Sequence, residues 1–74
     1  MTAEEWIAEF CAQLGTDAPT GMQTNALLKL ASEAAHRSER RAAPIACFIA
    51  GAAGVPTEEA IRVAETIGEI DGDA

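Results

Sequence analysis

Apolar side chains recur every three to four positions through most of the chain, and that rhythm predicts helices. Ala3, Trp6, Ile7, Phe10, Cys11 and Leu14 fall on one stripe, with Glu4, Glu5, Glu9 and Gln13 elsewhere around the axis. Thr2 and Glu5 have the spacing of a capping box, and Gly15 is placed to end this first helix. The stretch TDAPTG, holding Pro19 and Gly21, reads as a loop, after which Thr20 with Gln23, or Thr24 alone, can cap a second helix. That helix is expected from about Met22 to about Arg41. Leu27, Leu28, Leu30, Ala31, Ala34 and Ala35 form its packed side, and Lys29, Ser32, Glu33, His36 and Arg40 the opposite one.

The third segment, AAPIACFIAGAAGVPT, breaks the rhythm. Ile45, Ala46, Cys47, Phe48, Ile49, Ala50, Ala52 and Ala53 point in every direction around a helix, so no side is left for water. Bounded by Pro44 and Pro56, it is too short for a membrane span, which needs about 18 or more apolar residues. Pro44 is expected to push Ala43 out of the helical region and to open the third helix, with Gly51 permitting close helix approach and Gly54 ending it. A fourth helix, from Thr57, carries Glu58 and Glu59 at its positive end and packs through Ala60, Val63, Ala64 and Ile67.

No stretch alternates as a half-buried strand does, so the fold class is all-α: a compact four-helix domain with helices roughly at 3–14, 22–41, 44–53 and 57–69. The 74 residues read as one domain, 1–74, frayed at 1–2 and 70–74. Seventeen alanines suit closely packed helices.

Size now matters. A chain this short buries only about 60% of its extended surface and gains from a partner. Three other short helices leave part of the third uncovered, and each Ile or Phe left in water forgoes roughly 1.5 to 3 kcal/mol. A second copy or a protein partner, meeting Ile45, Phe48, Ile49 and Ala52, is one answer. Complete wrapping by the first two helices and their loop is the other.

Charge narrows the partners. The net charge of −7, with only Lys29, Arg37, Arg40, Arg41 and Arg62 basic, argues against nucleic acid and against an anionic membrane surface. Cys11 and Cys47 stand far apart with no further ligand at metal-site spacing, which fits two reduced core thiols, no metal and no cofactor. No basic stretch precedes an apolar one at the start, so the cytoplasm is the expected location.

The candidate chemistry gathers at AHRSERRAAP. His36 and Arg40, four apart, could form a proton-transfer or anion-contact pair, or belong to a solvated face in which Glu33 pairs with Arg37 and His36. Ala43 is a poor N-cap, so the first amides of the third helix, with Arg40, Arg41 and Pro44 nearby, could receive a phosphate or a carboxylate. No phosphate loop, nucleophile elbow or paired histidine is present, which makes catalysis by this chain alone improbable.

EEWIAEFCAQLG around Trp6, LLKLASEAAH, Arg40 with Ala43 and Pro44 in ERRAAP, and FIAGAAG together resemble a small actinobacterial domain of unknown function. Domains of that kind stand alone or are joined to molybdenum cofactor guanylyltransferase-like proteins. The likeness covers roughly residues 4 to 68, with Arg41 standing where that family's pattern has proline. It implies that His36, Arg40 and Pro44 form a contact site and that molybdenum cofactor maturation is the setting. The function expected is therefore a non-enzymatic accessory or protein-interaction module, acting through the third helix as a homo-oligomer or with a protein partner. The alternative is a binder of an anionic or phosphate-bearing small molecule at the His36, Arg40 and Arg41 corner.

Overall fold

A computed structural model describes residues 1–68. It is all-α, with four helices in the expected order: α1 (Ala3–Leu14), α2 (Gly21–Arg37), α3 (Ala42–Ala53) and α4 (Thr57–Ala64). Residues 69–74, which hold the fraying expected at 70–74 and the last residue of the expected fourth helix, lie outside the described residues.

Local chemistry sets the helix starts. The Thr2 amide donates to Glu5 Oε1 at 2.7 Å and the Glu5 amide donates to Thr2 Oγ1 at 3.0 Å. Thr20 and Gln23 repeat the arrangement at 2.8 and 3.1 Å. Each box satisfies amides that the first helical turn leaves without partners, worth about 1 kcal/mol. Thr2 is thereby bonded to α1 through both its amide and its hydroxyl. Gly15 and Gly54 adopt φ of 76° and 71° and close α1 and α3 with the same motif. In it the Thr16 amide reaches the Cys11 carbonyl and the Val55 amide the Ala50 carbonyl.

Three helix boundaries differ from expectation. α2 stops at Arg37, not Arg41, because Ser38 leaves helical geometry (φ −149°, ψ −101°) while its hydroxyl donates back to the Ala34 carbonyl at 2.7 Å. α3 starts at Ala42, so Pro44 sits inside its first turn, where a missing N–H costs nothing, and Ala43 stays helical despite it. α4 stops at Ala64, because the Thr66 hydroxyl takes the Val63 carbonyl at 2.6 Å and the Thr66 and Ile67 amides tighten into three-residue turns.

α2 is the hub. It packs against both α3 and α4, which themselves touch only slightly. Among the described residues the buried apolar side chains are Leu30, 3% exposed, and Ala50. α1 stands apart: none of its Cα atoms lies within 8 Å of a Cα in another helix. Its stripe keeps Trp6 and Phe10 in contact with each other, rings stacked at 4.9 Å, and both are about half exposed. Leu28, expected on the packed side of α2, faces outward. Gly51 does not mediate a helix contact either, since a Cβ there would meet nothing within 4 Å.

Candidate functional site

The junction of α2 and α3 is a turn, Ser38 to Arg41, between two helices of different character. His36 lies in the last turn of α2, and Arg40 lies beyond the helix, so the two do not share a helical face. They meet instead around an open depression of about 450 Å³, together with Ala35, Ser38 and Glu39. His36 Nδ1 shares a hydrogen bond with Ser32 Oγ at 3.3 Å. Arg41 points to the other side of the turn, pairing with Glu39 at 3.4 Å in open solvent. There it borders a second depression with Ile45 and Ile49. Pro44 is exposed beside them. The structure thus divides the expected corner in two.

The amides proposed for an anion are engaged. Arg41, not Ala43, is the N-cap of α3, and its side chain makes no capping bond. The Ala42 amide donates to the Glu39 carbonyl at 2.9 Å and the Ala43 amide to the Arg40 carbonyl at 3.1 Å, while Pro44 has no N–H to offer. A phosphate at this end would meet no free amide in the first three positions and would face Glu39. The helix dipole alone is a weak attraction at an exposed end.

Behind the corner lies an ion cluster on α2. Glu33 accepts from Arg37 Nε at 2.7 Å and from Lys29 Nζ at 3.0 Å, and Lys29 also lies 3.8 Å from Glu65 of the segment after α4. The Arg37 guanidinium, then the Lys29 ammonium, hold the Glu33 carboxyl below the ordinary carboxylate range. The same hydrogen bond and the Glu33 charge raise the Lys29 ammonium above the ordinary lysine value. Both Glu33 oxygens are thereby occupied by Arg37 and Lys29, not by His36. Arg37 Nη1 reaches the Gly68 carbonyl at 3.5 Å, tying the end of α2 to the chain leaving α4.

Cys47 is half-buried against α2, its thiol donating to the Leu27 carbonyl at 3.7 Å, and burial pushes its pKa up. A thiol held protonated in this way is a packing group rather than a nucleophile. Cys11 is also free and half-buried. Among the described residues no three His, Cys, Asp or Glu side chains gather as a metal site, and no helix is long and apolar enough to cross a membrane.

The larger feature is apolar. Ile45 and Ile49 are each 58% exposed and Phe48 is 72% exposed; with exposed Ala52 they form one outward arc of α3. Ala46, Cys47 and Ala50 face the other helices. The sequence also left unseen a cleft of about 330 Å³ between α3 and α4, floored by Leu30 and walled by Ile49, Ala53, Val63 and Ile67. Among the described residues its only charged lining residue is Glu59. Val63 and Ile67, expected to pack, are more than half exposed at its edge. The amphipathic pattern marked both residues as apolar-facing, but the splay of α3 from α4 that exposes them has no local signal.

A family model described as a domain of unknown function, DUF6457, matches residues 1–72. No curated protein matches the chain, and no solved structure does.

Proposed function

Since this chain belongs to a family of domains of unknown function, DUF6457, we propose its function from its own surfaces: it is a non-enzymatic protein-interaction module that associates through α3. The observation that carries this reading is the exposed arc of Ile45, Phe48, Ile49 and Ala52. Isolated exposed apolar residues are ordinary, but a contiguous arc on a helix with no charged residue is what an interface presents before it is covered. Leaving Phe48 and two isoleucines in water is a serious loss for a domain whose own core is this small. Arg41 and Glu39 stand at the rim of that arc beside Ile45 and Ile49, while His36 and Arg40 line the depression on the other side of the turn. Rim charges steer and select a partner more than they add affinity.

Phe48→Asp tests the reading. The side chain lies outside the packed helices, so the variant should keep its helical circular dichroism while losing association in sedimentation velocity. Loss of helix on this substitution would mean that α3 is internal, and the reading would fail.

The setting assigned here, molybdenum cofactor maturation, rests on the sequence resemblance alone. Titrating the domain with a purified molybdenum cofactor guanylyltransferase from the same host tests it. Absence of binding would remove the setting and leave the α3 interface standing.

A further inference from the structure

We propose that the partner is a second copy of this chain, and that each copy seats its α1 in the α3–α4 cleft of the other, forming a closed pair. The proposal rests on the α3 reading above and adds to it the partner and the element exchanged.

Two unpartnered apolar surfaces on one chain fit each other in kind. α1 offers a ridge of Trp6, Phe10 and Leu14, all exposed, beside half-buried Ile7 and Cys11, with no Cα within 8 Å of another helix. α2, α3 and α4 offer a cleft lined by Leu30, Ile49, Ala50, Val63 and Ile67, where α3 and α4 diverge. A helix laid in that cleft would complete a four-helix arrangement over α2, and the chain carries one helix that is not so used.

The connection keeps α1 away from its own cleft. The left-handed Gly15 with its two closing hydrogen bonds fixes the end of α1, the Thr20 and Gln23 box fixes the start of α2, and half-buried Pro19 stiffens the few residues between. A short, stiff connection that holds an arm out is the geometry from which copies exchange elements.

Area points the same way. A self-contained monomer of 7.7 kDa exposes about 4,300 Å², whereas this chain exposes 5693 Å². The exchange is driven by apolar fit and not by charge, since the charged residue lining the cleft is Glu59, of the same sign as the arm. Residues 1–20 carry Glu4, Glu5, Glu9 and Asp17 with no basic side chain, and on the acceptor side Lys29 and Arg37 are already paired with Glu33.

The single tryptophan reports on this directly, because Trp6 is 55% exposed on a lone α1 and would be enclosed in the pair. The experiment follows sedimentation mass and tryptophan emission of the full chain over a dilution series. The expected result is twice 7.7 kDa with blue-shifted emission, both reverting together on dilution. A monomer with blue-shifted emission would mean that α1 folds onto its own cleft, and it overturns the proposal. A dimer with water-exposed Trp6 overturns the exchange while leaving association through α3 intact. A monomer with exposed Trp6 overturns both, and masses growing beyond two copies overturn the closed pair.

Two variants separate arm from cleft without touching buried positions. Trp6→Glu and Val63→Glu should each weaken pairing by about 30-fold or more with α-helical signal retained. Mixing them should restore a mixed dimer, since the intact α1 of one variant meets the intact cleft of the other. The mixed dimer keeps one intact arm–cleft contact of two, so a mixture that pairs no better than either variant alone would overturn the exchange.

Discussion

α1 and α2 begin with the same device and end in opposite situations. Each opens with a threonine whose hydroxyl and whose amide both bond to the third helical residue. Each also carries an apolar stripe, that of α1 holding the bulkier Trp6 and Phe10. Yet α2 supports two neighbours and buries Leu30, whereas α1 supports none and buries nothing. An amphipathic stripe states that a face is to be covered; it does not state by what. α2 has helices connected to it by a tight turn that fold back on it, and α1 is joined by a loop capped rigidly at both ends.

The largest expected effect that sharpens this contrast is Leu30→Ala. Removing a side chain that is 3% exposed should destabilise the domain by about 2 to 5 kcal/mol. Leu14→Ala on the free arm should change monomer stability little, as chemical denaturation of both under dissociating conditions will show. Gly68→Ala comes next. Gly68 has φ +72° and a Cβ there would lie 2.9 Å from the Arg37 carbonyl, at the tie between α2 and the chain leaving α4 that α1 lacks. A loss of about 1 to 2 kcal/mol is expected, read from the thermal midpoint.

The matched caps give the sharpest comparison. Thr20→Ala should lower global stability by about 1 kcal/mol. Thr2→Ala should lower only local amide protection in α1 of the monomer, which hydrogen exchange resolves by residue. Equal global losses would show α1 to be integrated with the rest. Gly51→Ala should stabilise by roughly 0.5 to 1 kcal/mol, because the site is a helix interior with open space around it. A destabilisation would reveal close approach there.

The smallest effect is in pH. The folded pKa of Glu33 is depressed by Arg37 and Lys29, so its contribution is complete above the unfolded carboxylate range. It is lost as pH falls through the lower folded value. Lys29 runs oppositely: its raised pKa keeps its contribution below the unfolded lysine value and loses it in stronger alkali. Glu33→Gln should therefore flatten the acid limb of the stability profile, as chemical denaturation at a series of pH values will show.

Much of the local structure was legible from spacing. Thr2 with Glu5, Thr20 with Gln23, and the glycines at 15 and 54 mark helix ends through interactions within five residues, and these lie where expected. The junction departs from its sequence pattern because two local preferences compete there. Helical periodicity carried the second helix to Arg41, but the Ser38 hydroxyl reached the Ala34 carbonyl and ended it, separating His36 from Arg40. Pro44 was read as a boundary, and Ala42 and Ala43 form the first turn around it.

Residue order by itself determined the all-α class, four helices and the helix ends marked by Thr2, Gly15, Thr20 and Gly54. All of these follow from neighbours in the chain, whose geometry is fixed at short range. Tertiary structure decided that α2 is the hub, that α3 shows Phe48 outward, that α3 and α4 diverge and that α1 stands free. Those outcomes depend on which faces meet across 20 or more residues, and an apolar stripe specifies burial without specifying its partner.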